Sequence, residues 1–431
     1  MIERRVAVTG MGVVTPIGIG VEAFWKGLLA GRSGVAAVEH FDASGLPARI
    51  AAYVRDGDAL DAWRRRLGLE PGDPRSLLFA LAAGRQAHDA AGWRDELGGP
   101  RVGVVFGSHG DKLDMGRMAE VAYRARNGGA SAIFPAAFFE RYCREFRGHP
   151  LTRLLPHHAT LRLARMYRAQ GPACTIQTAC TSSAQAIGEA FGMIRRGTVD
   201  RAICGGAECI VSPNHMLMFA LLGVLSTRND APARASRPFD GGRDGFVLGE
   251  GSAVLVLERW DRARERGARI LCELAGYGTS CDAYRLTDEE PEGRGAIAAM
   301  RRALEAAGLT PGDVDYINAH GTSTQMNDRV ETLAIKTLLG RRAYQVPVSS
   351  IKSMLGHAVS AAGAIEAVAC VLALRDQTLP PTINLERSDP HCDLDYVPNR
   401  PRKAKVDTVL KESFGFGGQN NVLVIRRFSE S

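Results

Sequence analysis

Short runs of β-branched and apolar residues alternate with longer stretches of helical period along the whole chain, and this alternation constrains the fold more than any other feature. In the first part, Arg5–Val8, Val102–Phe106, Cys174–Gln177, Ala202–Cys204 and Ala253–Leu257 read as strands, with helices at Leu77–Ala91 and Ser183–Arg196. The second part repeats the scheme. Ile270–Ala275, Tyr316–Asn318, Val346–Ser349 and Val422–Ile425 read as strands, and Gly295–Ala307, Glu331–Leu338 and Ala361–Leu374 as helices. Such alternation predicts α/β architecture with largely parallel sheets. A strand closing at Leu257-Glu258-Arg259, followed by a charged helix, places a seam that divides the chain into halves 1–258 and 259–431, and the missing low-complexity linker implies that they share an interface. Each half carries a strand running into a small-residue turn with a reactive side chain, Ala179-Cys180-Thr181 and Ala319-His320-Gly321, which reads as an internal duplication.

At 431 residues, with 45% hydrophobic and 23% charged residues, the chain can bury a large interior and is neither disordered nor fibrous. The N-terminal run VAVTGMGVV reads as a buried strand and not as a signal peptide, and the longest apolar stretch, Ala358–Leu374, is interrupted by Glu366. The expectation is a soluble, cytoplasmic protein without a membrane span. Nine scattered cysteines contain no CxxC pair, so reduced thiols are expected, and His157-His158 lacks the spacing of a zinc site. The net charge of +7 favours an acidic partner; without a helix-turn-helix, zinc-finger or RNP pattern that partner is not expected to be nucleic acid. Thr9-Gly10-Met11-Gly12 fails as a dinucleotide fingerprint because Thr15 stands where Gly or Ala is required.

Four segments carry chemistry. In IQTACTSSAQAIGEAFGMIRRG, apolar Ala184, Ile187, Phe191 and Ile194 follow helical spacing, which sets Cys180 at the turn between a strand and a helix N-terminus. Free N–H groups there lower a thiol's pKa from ~8.5, so a thiolate nucleophile is expected. In YINAHGTSTQMND, His320 follows a strand and is surrounded by small hydroxyl residues, suited to facing a ligand. In VSSIKSMLGHAVSAAGAIEA, His357 lies between a strand and a helix of very small residues, with Lys352 before it and Glu366 inside the apolar helix, where a buried carboxylate needs a partner. In ESFGFGGQNNVLVI, Phe414 and Phe416 stand among glycines in a last turn before a final strand, a place where N–H groups can reach a bound oxygen.

Together with RRVAVTGMGVVTPIG at the start and LSTRNDAPARASRPFDGGRDGFVLGEG at 225–251, these segments resemble, in order, the signatures of the β-ketoacyl-carrier-protein synthases of the thiolase superfamily, most like the synthase II type. The resemblance implies a duplicated, five-layered αβαβα fold and a decarboxylating condensing enzyme. It makes Cys180 the acyl-accepting nucleophile, His320 and His357 the pair that binds the malonyl thioester carbonyl, and Lys352 with Glu331 or Glu366 the supporting network. Thr322 and Thr324 would face the malonyl and pantetheine arm, Phe416 beside Phe414 would gate the site, and the N–H groups of Cys180 and Phe416 would form the oxyanion hole. No cofactor or metal is implied, since acyl groups arrive on the phosphopantetheine of an acyl carrier protein; a homodimer, or a heterodimer with a ketosynthase-like subunit, is the expected assembly.

Two stretches depart from that pattern. Phe134–Arg168 is longer than usual and basic, with Arg141, Arg144, Arg147, Arg153, Arg162, Arg165 and Arg168, and GSHGDKLD puts Gly110 where a bulky isoleucine gate is usual. The basic helix that docks the carrier in relatives is poorly matched, although Arg64, Arg65, Arg66 and Arg75 lie nearby. Fatty-acid elongation and a type II polyketide or polyene pathway both fit, the second favoured. The competing readings are a non-catalytic, chain-length-type partner subunit, against which the intact Cys180, His320 and His357 argue, and a non-condensing malonyl-carrier decarboxylase, which acyl transfer to Cys180 would separate from a condensing enzyme.

Overall fold

The computed structural model describes residues 4–55, 57–70, 72–111, 115–125, 135–145 and 151–428. Ten strands form one path across a large sheet: β1 (Val6–Thr15), β2 (Val102–Gly107), β3 (Ala173–Ile176), β4 (Arg201–Glu208), β5 (Gly251–Arg259), β6 (Cys272–Cys281), β7 (Tyr316–Asn318), β8 (Val348–Ser349), β9 (Thr408–Gly415) and β10 (Gln419–Arg427). Their spatial order is β8-β7-β9-β10-β6-β1-β5-β4-β2-β3. Counted within each half, that order is the same, third-second-fourth-fifth-first. The directions repeat as well: the second strand pairs parallel with the third and the fourth, while the fifth pairs antiparallel with the fourth and the first. The sheet is therefore mixed, not largely parallel as the alternation predicts, because in each half the last strand runs against the other four and the two first strands meet antiparallel at the join.

The two halves join edge to edge where Val6–Val8 of β1 pairs with Cys272–Leu274 of β6. Five principal helices complete the layers: α1 (Arg75–Ala90) outside the first half, α2 (Ser182–Arg195) and α5 (Ala362–Asp376) between the halves, α3 (Arg294–Ala306) and α4 (Gln325–Leu339) outside the second. Three apolar cores follow. The central one gathers Phe191 and Ile194 of α2 with Val368 and Leu372 of α5. The outer ones lie under α1, around Phe79 and Val104, and under α3 and α4, around Met300 and Ile335. This is the αβαβα stack expected.

The duplication is real, but its corresponding turns are not the pair read from the sequence. Cys180 follows the third strand of its half, in a 3₁₀ turn Ala179–Thr181 that leads into α2. In the second half the third strand leads to the 3₁₀ turn Val359–Ala361 and then α5, so Ser360 is the counterpart of Cys180. Both turns open on a non-glycine residue in the left-handed region, Ala179 at φ 49° and Val359 at φ 36°, a conformation that costs of order 1–3 kcal/mol unless its surroundings enforce it. His320, by contrast, follows the second strand of its half.

The two turns meet because α2 and α5 approach closely at their first turns. A Cβ on Gly363 would lie 2.8 Å from both the N and the Cβ of Ala184, and the Ala364 N–H donates to Ser183 Oγ at 3.0 Å. Gly363→Val therefore pushes α2 and its cysteine turn outward. We expect a loss of about 1–3 kcal/mol of stability, the usual penalty of overpacking, read as a lower thermal midpoint together with slower acylation of Cys180.

Of the atypical stretch, Pro135–Glu145 and His157–Met166 are helices and Leu151–Leu154 a 3₁₀ turn, while Phe134, Arg147 and residues 112–114 of GSHGDKLD lie outside the described residues. Gly110 has φ 71°, and a Cβ there would sit 2.5 Å from the Leu154 carbonyl oxygen. The inserted turn thus closes onto the position that the missing side chain leaves open.

Candidate active site

Cys180, His320 and His357 converge at one buried point although the sequence holds them 140 and 37 residues apart: Sγ of Cys180 and one nitrogen of each imidazole lie within 4.8 Å of one another. The three line a cavity together with Thr322, Thr324, Phe414, Phe416 and Thr287–Glu289.

The cysteine turn is built from its own hydroxyls. Thr181 Oγ1 donates to the Thr178 carbonyl at 2.7 Å, and Ser182 Oγ donates to the Ala179 carbonyl at 2.7 Å while accepting the Thr178 N–H at 3.0 Å. These bonds hold Ala179 in its left-handed conformation and aim Sγ into the cavity. The thiolate expected from the helix N-terminus is not what the site produces. Enclosure of the sulfur pushes the thiol up to about 12, and the charge of Lys352 and the N–H groups of Phe416 and of Cys180 itself offset only part of that. Desolvation wins because the sulfur lies wholly inside the protein, and the nearby Glu289 carboxylate adds to it. Cys180 rests as a thiol.

His320 is held from behind. Glu331 accepts the N–H groups of His320 at 2.6 Å and Gly321 at 2.7 Å, which fixes the turn as β7 ends. Gly321, at φ 43°, packs so closely on Ser350 that a Cβ would come within 2.5 Å of that side chain. Lys352 Nζ donates to the His320 carbonyl at 2.6 Å and to its Nδ1 at 3.2 Å, so Nδ1 is the acceptor and Nε2 carries the proton that faces the cavity. Burial, with Lys352, His357 and Lys411 nearby, holds the His320 imidazole well below its usual range; it is neutral.

His357 enters from the loop between the short helix Lys352–Leu355 and α5, its backbone N–H donating to the Val247 carbonyl at 2.7 Å. Its ring stands edge-on to that of His320, with centroids 5.3 Å apart, and packs on Phe246. Among the described residues neither ring nitrogen has a partner, and the ring is buried and held neutral by desolvation and by Lys352 and Lys411. A neutral imidazole with both nitrogens unengaged can take a proton on one and donate from the other.

Both candidate carboxylates of the sequence reading take part, on different sides. Glu331 holds the His320 turn, and Glu366 on α5 pairs with Lys352 through Oε1 and with Lys411 Nζ through Oε2 at 2.8 Å. Sequence reasoning missed Lys411 and Glu412. Phe414 is not part of the last turn but the penultimate residue of β9, and the tight turn to β10 is Phe416–Gly418, with Gly417 and Gly418 at φ 80° and 70°. Alternation along β9 sends Lys411 toward α5 and Glu412 toward α4; two adjacent charges inside an apolar strand were the available signal. Glu289 was missed as well: burial and the charges of Asp282, Asp328 and Glu331 push it up to about 7. Thr322 and Thr324 share a hydroxyl hydrogen bond of 2.9 Å at the cavity wall. Asp328, which accepts the N–H groups of Phe239 at 2.7 Å and Ser323 at 3.2 Å and pairs with Arg243, ties the 225–251 segment to the histidine turn.

Cysteine with two histidines is also a set that can share a metal ion, assembled by the fold and invisible to a search for closely spaced ligands. The buried Lys352 ammonium lies against the His320 imidazole and already supplies positive charge there, so the donor set fits a dication poorly.

Residues 3–263 match the family described as beta-ketoacyl synthase, N-terminal domain, and residues 271–386 its C-terminal domain. The chain belongs to the β-ketoacyl synthase family. It is 45% identical over 435 residues to a 3-oxoacyl-[acyl-carrier-protein] synthase 2 of Coxiella burnetii, covering 99% of each chain. It is also 40% identical to the tetracenomycin polyketide synthase ketoacyl synthase alpha subunit of Streptomyces glaucescens, covering 100% of this chain and 98% of that one. Among solved structures, the ketosynthase of a type II PKS acyl-carrier-protein complex, bound to the hexaketide, superimposes with a TM-score of 0.86 at 36% identity, covering 99% of this β-ketoacyl synthase and 100% of that chain. The ishigamide ketosynthase/chain length factor gives a TM-score of 0.85, also at 36% identity, with the same coverage. The α/β fold read from the sequence is the fold of these enzymes.

Proposed function

We propose that this β-ketoacyl synthase is an acyltransferase that condenses malonyl-carrier with an acyl group held on Cys180, and the observation that carries the reading is the meeting of one buried sulfur with two neutral, buried imidazoles on the wall of one cavity. Sγ attacks the thioester carbonyl of an acyl carrier. The S–C bond forms as the thiol proton passes to the open nitrogen of His357, and the departing pantetheine sulfur takes a proton as its own C–S bond breaks. The N–H groups of Cys180 and Phe416, already directed at the sulfur, bind the tetrahedral oxyanion.

Malonyl-carrier then occupies the emptied arm of the cavity beside Thr322 and Thr324. Its carboxylate leaves as CO2, the bonding pair moves onto the thioester carbonyl, and the enolate oxygen is held by the Nε2–H of His320 and by an N–H of His357. The enolate carbon attacks the acyl-Cys180 carbonyl, and collapse of that second tetrahedral centre expels the cysteine sulfur. Phe416, at the tip of a two-glycine turn, is placed to gate the acyl and malonyl sides. Decarboxylation alone would leave Cys180 without use. Among the described residues no helix is long and apolar enough to cross a membrane.

We assign the carrier, an acidic protein in charge terms, as the partner that delivers both groups, and divide the chain at 258/259 into halves that follow the repeated strand order. A ketosynthase bound to its acyl-carrier protein and a ketosynthase/chain length factor are among the similar structures, which supports both the carrier and a dimeric assembly. Fatty-acid and polyketide synthases stand side by side among the relatives, so acyl selectivity is the open quantity. Incubation with a panel of acyl-carrier thioesters, followed by intact-protein mass spectrometry, should show one acyl mass added at Cys180, and malonyl-carrier should then yield a β-ketoacyl-carrier two carbons longer. CO2 release without any acylated protein would overturn the condensing reading in favour of a decarboxylase; neither product would favour a partner subunit.

A further inference from the structure

Two carboxyl groups, Glu331 and Glu412, face one another behind the His320 turn, and among the described residues only Glu331 has donors. Glu331 accepts the N–H groups of His320 and Gly321 and an amide N–H of Asn327 at 3.3 Å. Glu412 is fully buried, and among the described residues neither of its carboxyl oxygens has a donor. It reaches Glu331 because the even-numbered residues of β9 (Leu410, Glu412, Phe414) look toward the outer core with α4, while the odd-numbered ones look toward α5. Its immediate neighbour Lys411 is turned away onto Glu366. Two ionised carboxylates cannot occupy one dry site, so the pair holds a proton, and the oxygen without donors is where that proton resides.

We propose that Glu412 is a positioning residue that keeps this shared proton and, by bonding as a neutral acid to the Glu331 carboxylate, holds the His320–Gly321 turn in the geometry that presents Nε2–H to the substrate. The inference deepens the condensing reading and rests on it for its kinetic consequence, though not for its structural one. The groups facing the pair are Lys411 beside Glu412 on β9, Asp328 with Asn327 on α4, and Glu289 across the turn; of these only Lys411 favours ionisation of Glu412, and burial together with Glu331 outweighs it. The sign follows. Glu412 ionises in the usual carboxylate range when unfolded and well above it when folded, so the unfolded chain releases its proton first as pH rises. The folded protein loses stability from about pH 4.5 upward until the folded group ionises, whereupon two anions meet and the turn loosens.

E412Q is a neutral isostere that cannot ionise, and E412L removes the bond altogether. Three readouts compare them with the wild type. The first is the thermal midpoint between pH 5 and pH 9; the second is hydrogen–deuterium exchange of the peptide holding the His320 and Gly321 amides, corrected for intrinsic exchange; the third is the pH profile of kcat for condensation with acyl- and malonyl-carrier. We expect the wild-type midpoint to fall with pH more steeply than that of E412Q. Its turn amides should lose protection about tenfold at the alkaline end while those of E412Q do not, and the alkaline limb of the wild-type kcat profile should be absent from E412Q. E412L should exchange its turn amides faster at every pH, and E412Q should restore them. Parallel midpoint and exchange profiles for wild type and E412Q would overturn the proposal, as would separated midpoints with parallel exchange and kcat, since the proton would then support the fold without positioning His320. If no condensation occurs in any variant, the function proposed above fails, and the exchange comparison still decides for or against the shared proton.

Discussion

Replacing Cys180 with alanine is expected to abolish acyl loading completely, with no mass added from any acyl-carrier, while malonyl-carrier still loses CO2 at a measurable rate. The two half-reactions separate because they use different atoms: the sulfur accepts the acyl group, whereas the enolate is held by the imidazoles, which do not need the sulfur to stay in place. His320 is fixed by Glu331 and Lys352, and His357 by the Val247 carbonyl, all outside the cysteine turn. The complementary variant, His357→Ala, should lose decarboxylation by at least the ~10²–10³ that removal of one stabilising donor costs, and should also acylate slowly because the thiol then lacks its proton acceptor. Because the resting thiol lies near 12, alkylation of Cys180 by iodoacetamide should be slow at neutral pH and rise steadily with pH. Normal condensation by His357→Ala, or acyl loading of Cys180→Ala, would refute the assignment.

The positions of Cys180, His320 and His357 were legible because Cys180 and His320 sit where a strand gives way to a turn of small residues and His357 just before a helix of very small ones, local patterns that a sequence displays. Their chemical states were not legible. The helix N-terminus argued for a thiolate, yet the ionisation of the sulfur depends on what encloses it. Phe416 arrives from the last hairpin and Lys352 from the short helix before His357, and their net effect follows from burial that no local window contains. The same holds for the duplication. Cys180 and His320 look alike as turns after strands, and only the strand order shows that Ser360 is the counterpart of Cys180. Lys411 and Glu412 carry no local sign of their partners, because β9 continues through them to Gly415 and its pleat sends each to a different buried carboxylate from a distant helix.

Lys352→Met is expected to produce the largest combined loss of stability and activity. The lysine is buried, donates to the His320 carbonyl and Nδ1, and pairs with Glu366, so its removal leaves a buried carboxylate served by Lys411 alone and an imidazole with no fixed tautomer. Breaking a buried pair from one side typically costs about 3–5 kcal/mol, which should appear as a large fall in the thermal midpoint. For the chemistry, the point is the proton. With Nδ1 no longer engaged by a cationic donor, His320 can place its hydrogen on either nitrogen, and whenever Nε2 is bare the enolate loses one of its two donors. We expect kcat for condensation to fall by ~10²–10³ while acyl loading of Cys180 falls far less, because loading uses His357 and the N–H groups of Cys180 and Phe416. Lys411→Met is the control, since Lys411 shares Glu366 but does not touch the imidazole. It should lose stability comparably while retaining much more of the condensation rate. Equal kinetic losses in the two variants would show that Lys352 acts only as a counter-ion to Glu366, and the fixed tautomer of His320 would no longer explain how the malonyl enolate is held.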